Sequence, residues 1–144
     1  MSSSNLIILY GLLSAAIITG GVQDWRTGEV SNWITMPLLA LGTLASVLRL
    51  LTPTGFLIGF IEIAMTMAAL NGWMGGADWK VLVGLFGLWP VAGFAALIGA
   101  GAWGLVEMIK TRNRNARFPG VSAFAVAVIL TFLVQLFIIH FELT

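Results

Sequence analysis

Two short stretches place an acid, a tryptophan and a base in a row. They are DWR at 24–26 and DWK at 78–80, the second preceded by the small residues GGA at 75–77. Asp24 and Asp78 are two of only six acidic side chains in 144 residues. Two aspartates brought close cannot both ionise easily, so such a pair shares a proton at working pH. One member can then activate a water while the other protonates a carbonyl or a leaving amine. That chemistry needs neither a metal nor a nucleophilic side chain. Its competitors lack their groups. There is no Cys, which excludes disulfides, thiolate catalysis and Cys-based metal sites. A single His, His140, excludes a His-rich metal centre. No cofactor is expected.

A bland reading stands beside this one. An Asp at a helix end often serves only as a cap or an interfacial anchor. The small residues before Asp78 weigh against it, because they imply close backbone approach. The shared depth of the two Asp residues, argued next, weighs further against it.

The elements that must position the pair follow from composition. The chain is 59% hydrophobic and 9% charged, with mean hydropathy +1.00. A soluble domain carries about 25% charged residues. Too few polar side chains exist to cover a surface in water, so the chain reads as an integral membrane protein. Its 17 Gly fit membrane helices, where small residues let backbones approach. A net charge of +1 suggests no nucleic-acid partner. The MSSSN start has no basic residue ahead of the apolar run, which is expected to be retained as a span rather than cleaved.

A helical span takes about 20 apolar residues. The expected fold is all-α, one membrane-embedded domain over 1–144 with six transmembrane helices near 6–22, 33–51, 55–70, 73–89, 91–109 and 119–141. TPTG at 52–55 and Asn71-Gly72 are turn signals. Pro119 suits a helix start. Pro90 argues for a break between Trp89 and the helix that follows. Charge supports that break. Lys110, Arg112, Arg114 and Arg117 form a basic loop that should be cytoplasmic. Only with two spans between 73 and 110 does this loop share a side with DWR. Both termini then lie outside. Span four must begin near Trp73, which puts Asp78 at its inner end. Spans two and three go out and back, so Asp24 and Asp78 share one membrane face. Trp25, Trp33, Trp73 and Trp79 flank them as an interfacial belt would.

At these residues the sequence resembles a known family. DWRTGEVSNW at 24–33 looks like the first motif of type IV prepilin peptidases and archaeal preflagellin peptidases. GGADWK at 75–80 looks like their second motif, Gly-x-Gly-Asp-x-Lys. The six-span plan also agrees, so the resemblance covers essentially the whole chain. It implies a GxGD-type aspartyl membrane protease with Asp24 and Asp78 as the catalytic pair. Gly75, Gly76, Ala77, Lys80, Arg26 and Asn32 would support the motifs. The implied substrate is a pilin-like or flagellin-like precursor, cut at the cytoplasmic face beside its hydrophobic helix. Ala77 replaces the second Gly of the pattern, and Ser31 stands where many members have Pro. Larger bacterial members carry a Cys-bearing insertion linked to N-methylation. Nothing here corresponds to it, so no methyltransferase activity is implied.

The remaining polar residues have plainer expectations. Arg26 and Lys80 sit two residues after an Asp, a spacing that does not share a helix face. Snorkelling to headgroups is the favoured reading of both, ahead of tuning the pair or meeting substrate. Glu29 and Asn32 read as solvated or capping, with Glu29 also placed to meet a basic leader. Glu62, within span three, is expected to pair with Arg49. Glu107 is expected to pair locally, the basic cluster to meet lipid headgroups, and His140 to be interfacial. Gly99, Gly101 and Gly104 read as packing positions. The alternatives are a small proton-coupled transporter using Glu62 or the Asp pair, a non-catalytic assembly factor, and a presenilin-like protease. The last usually has Tyr before its first Asp, where Gln23 stands here.

Overall fold

The computed structural model describes residues 3–112 and 119–142, so Arg114 and Arg117 of the basic loop lie outside the described residues, as does the His140 side chain. The described residues form six helices and no strand: α1 Ser3–Thr27, α2 Asn32–Arg49, α3 Pro53–Leu70, α4 Gly76–Leu88, α5 Pro90–Thr111 and α6 Gly120–Glu142. The all-α expectation holds. Among the described residues, four segments are long and apolar enough to cross a membrane: Asn5–Thr27, Pro53–Leu70, Pro90–Thr111 and Gly120–Ile139. Leu48, Leu51, Phe60, Ile98, Ile109 and Phe137 are exposed on the outside of the bundle. In water each would cost about 1.5–3 kcal/mol relative to burial. Against lipid tails that cost vanishes, so the surface and the helix lengths both describe a membrane protein.

Local signals set the helix ends. α1 stops at Gly28, whose φ of 70° is a left-handed conformation that favours glycine. The Gly28 amide donates to the Asp24 carbonyl at 2.8 Å. Ser31 then caps α2 by accepting from the Trp33 amide at 3.3 Å. Thr52 caps α3 by accepting from the Gly55 amide at 3.0 Å, with Pro53 opening the helix. Asn32, given a capping or solvated role above, is the first residue of α2 and leaves the cap to Ser31.

The expected break at Trp89–Pro90 is present. Trp89 leaves helical geometry with φ −147° and ψ 78°, and Pro90 begins α5. The chain doubles back there, because Leu97, Ala100 and Gly104 of α5 line the same cleft as Asp78. Several boundaries differ from expectation: α1 runs on to Thr27 rather than ending at 22, and α3 begins at Pro53, inside the expected turn at 52–55. α4 begins at Gly76 rather than near Trp73, since 73–75 form the turn that enters it. Its 13 residues span roughly 20 Å at 1.5 Å per residue.

This short helix is the axis of the bundle. Val81–Gly87 are all buried. Its tightest neighbour is α2. A β-carbon on Gly84 would fall 2.7 Å from the Leu38 carbonyl oxygen, so only glycine admits this backbone-to-backbone approach. At the end away from Asp78, Trp89 is stacked on Tyr10 with ring centroids 4.2 Å apart. Its Nε1 donates to Gln135 Oε1 at 3.1 Å. Trp89 thereby joins α1 and α6 to the α4–α5 corner.

Candidate active site

Asp24 and Asp78 arrive from different helices at the amino end of α6. Asp24 sits in the last turn of α1. Its Oδ2 accepts from the Ser122 amide at 3.1 Å, and the Ser122 hydroxyl lies 3.4 Å from the same oxygen. That hydroxyl donates at 2.8 Å to the Gly21 carbonyl, one turn earlier in α1. The close crossing depends on small residues, since a β-carbon on Gly21 would fall 2.7 Å from the Ala125 β-carbon. Asp78 sits in the first turn of α4. Its carboxylate stands over Gly120, where a β-carbon would fall 2.7 Å from Cγ and 2.9 Å from Oδ2. Ser122 and Gly120 are two residues apart in one turn of α6. Asp24 and Asp78 therefore converge on a single turn, and the Asp24 charge acts on the Asp78 carboxyl.

The electrostatics of this corner suit carboxylates. The amino ends of α4 and α6 meet here, and at each the first N–H groups lack partners within the helix and the dipole is at its positive end. Asp24 lies at the carboxyl end of its own helix and takes its hydrogen bond from the Ser122 amide of the neighbouring one.

Both carboxylates line a cleft of about 1690 Å³. Its walls are the end of α1 with the 27–30 turn, the 72–77 turn, one face of α5 and the start of α6. Leu97, Ala100, Gly101 and Gly104 form the α5 wall. Gly99 packs as expected, with a β-carbon position 3.4 Å from Ala127. Gly101 does not, because nothing lies within 4 Å of its β-carbon position and it opens into the cleft. Among the described residues no group of three or more His, Cys, Asp or Glu side chains gathers to hold a metal ion.

The motif residues divide by role. Gly75, Gly76 and Ala77 form the cleft wall just before Asp78. Lys80 Nζ donates to Asn32 Oδ1 at 2.9 Å, tying the second motif to the first across 48 residues. Snorkelling, the favoured reading of Lys80, misses this bond, since no sequence spacing reports a contact between α2 and α4. Arg26 is exposed and lies outside the cleft wall. Glu29 is exposed on the cleft rim. Of the four tryptophans expected to flank the two aspartates, Trp33 and Trp73 are 90% and 84% exposed, as interfacial residues would be. Trp25 stands edge-on to Trp103. Trp79 turns inward and donates from Nε1 to the Thr66 hydroxyl at 3.0 Å.

Glu62 and Arg49 do not pair. Glu62 Oε1 accepts from the Ser46 hydroxyl at 2.5 Å, while Arg49 donates to the Gly87 carbonyl at 3.0 Å. Gly87 is in the last turn of α4, where carbonyls lack intrahelical donors, so a guanidinium serves better there than beside a carboxylate. Lys110 and Glu107 do pair, at 3.7 Å. Ser122 and Gly120 belong to neither motif, so residue order does not mark them as site residues. The only available signal was PGVS at 119–122, a helix start with a small residue and a hydroxyl.

Fold and cleft together define a polytopic helical membrane protein with paired carboxylates at one end of its bundle. The model of the type IV leader peptidase family matches residues 11–139, nearly the whole chain. The chain belongs to that family, and it is a type IV leader peptidase-like protease acting on a precursor protein in a membrane setting. No curated protein and no solved structure matches it.

Proposed function

We propose that the protein is an aspartic endopeptidase that removes the leader of a pilin-like or flagellin-like precursor, with Asp24 and Asp78 as its catalytic pair. One observation carries this reading: both carboxylates converge on the first turn of α6 and open into one large cleft. The base is assigned to Asp24, whose Oδ2 already accepts from the Ser122 amide. It takes a proton from water as the water oxygen attacks the scissile carbonyl carbon. Asp78 gives its proton to the carbonyl oxygen. The tetrahedral diol then collapses: Asp24 gives its proton to the leaving amine, Asp78 takes one back from a diol hydroxyl, and the C–N bond breaks.

Supporting geometry extends to the substrate. A precursor that presents its cleavage site beside a hydrophobic helix needs an apolar wall next to the carboxylates. Leu97, Ala100 and Gly101 supply one without filling the cleft. Glu29 on the rim suits a basic leader. The ends of α1 and α5 and the starts of α2, α4 and α6 all lie at the site's end of the bundle. The Lys110 and Arg112 charges there favour the cytoplasmic face, with both termini outside. No methylation step is proposed.

The test uses a tagged pilin-like precursor with a short charged leader, co-expressed with the full chain in membranes. Asp24→Asn and Asp78→Asn should each abolish cleavage while the protein still inserts. Full cleavage by either variant refutes the assignment.

A further inference from the structure

We infer that Trp79 and Lys80 are positioning residues which fix the rotation of α4 about its axis and so aim Asp78 at α6. The inference rests on the two-Asp reading above. Consecutive residues of a helix point about 100° apart. Here three in a row reach three different helices. Asp78 stands over Gly120 of α6, Trp79 Nε1 donates to Thr66 of α3 at 3.0 Å, and Lys80 Nζ donates to Asn32 of α2 at 2.9 Å. The Thr66 hydroxyl is itself held by donating to the Glu62 carbonyl at 2.7 Å, so Trp79 meets a fixed acceptor.

The glycine contact at Gly84 fixes the middle of α4 against α2, but the first turn, which carries Asp78, needs a device of its own. The helix's amino end has Gly75 at the cap and no side-chain capping bond. Its interior is apolar and buried on every face from Val81 to Gly87. A helix that is hydrophobic all round carries no preferred stripe, so beyond the Gly84 contact with α2 burial alone does not choose which side of the first turn faces α6. Two directional hydrogen bonds on two further sides do choose it. The same logic explains why the acid, the indole and the amine are adjacent. Each has a separate neighbour, and none of the three pairs with another.

The variants are Trp79→Phe, which keeps the ring and removes the donor, and Lys80→Met, which keeps the stem and removes the charge. With the purified full chain and the tagged pilin-like precursor, each should lower kcat roughly ten-fold or more with KM little changed, since small misplacement of a reacting group is costly. Lys80→Gln, which retains a donor, should restore part of the loss. Asn32→Leu should add nothing in the Lys80→Met background, because both remove one bond. A second readout does not depend on cleavage. The chain has no Cys, so Asp78→Cys with Gly120→Cys makes a unique pair. The sulfur at 78 falls near the Asp78 Cγ position, 2.7 Å from the β-carbon position at 120, within disulfide reach after slight adjustment. Adding Lys80→Met or Trp79→Phe should cut the cross-link yield several-fold. Unchanged kcat in both single variants, or an unchanged cross-link yield, overturns the inference. Cleavage by Asp78→Asn would instead overturn the two-Asp reading, and the cross-link yield would still judge the clamp.

Discussion

The Ser122 amide donates to Asp24 Oδ2 at 3.1 Å, joining the first turn of α6 to the last turn of α1 across 98 residues. The Ser122 hydroxyl adds a second tie, to the Gly21 carbonyl at 2.8 Å. One residue thus holds both the backbone and the carboxylate of the segment that carries Asp24.

Ser122→Ala removes the hydroxyl tie and leaves the amide. Interhelical hydrogen bonds in a bilayer protein average about 0.6 kcal/mol, too little to unfold the bundle. We expect thermal stability in detergent to fall slightly and kcat to fall several-fold with KM unchanged. Wild-type kcat would show that the amide alone sets the position of Asp24.

Gly120→Ala tests the other half of the corner. Alanine is the better helix former, so α6 itself is not weakened. Its methyl group would meet the Asp78 carboxyl, 2.7 Å from Cγ. Cleavage should drop at least about ten-fold while the protein remains folded and inserted. A steady-state assay beside a detergent melting curve measures both, and normal cleavage would place Asp78 elsewhere during the reaction.

Glu62→Gln separates the peptidase from a proton-coupled transporter. The glutamine oxygen can still accept from Ser46, which now bonds Glu62 at 2.5 Å. Glu62 lies outside the cleft that holds the two aspartates. Cleavage of the precursor should stay within about two-fold of wild type, since surface or satisfied polar changes of this kind cost little. Loss of cleavage would bring Glu62 into the chemistry.

Much of this was legible from residue order, for a physical reason. Span length, Pro at a helix start and glycine at a helix stop act through near neighbours, so the break at Trp89–Pro90 and the all-helical fold could be read directly, while the turn expected at 52–55 falls at 50–52 because Thr52 caps α3 and Pro53 opens it. The entry to α4 was less legible. Trp73–Gly75 look apolar enough to be helix, yet they form the turn, because Gly72 with φ 75° and the Gly75 cap start the helix later.

Contacts between helices were the part that order could not reveal. Arg49 and Glu62 lie one short turn apart in the chain and looked like partners. Packing instead sent Arg49 to the end of α4 and Glu62 to Ser46. Lys80 looked like a headgroup anchor and binds Asn32. By itself the sequence determined that this is a helical membrane chain with two aspartates near helix ends, because apolar length and local turn chemistry require no partner. Only the tertiary structure decided that both face one turn of α6, with Ser122 and Gly120 between them. Which side of an all-apolar helix meets which neighbour depends on packing among segments up to about a hundred residues apart in the chain.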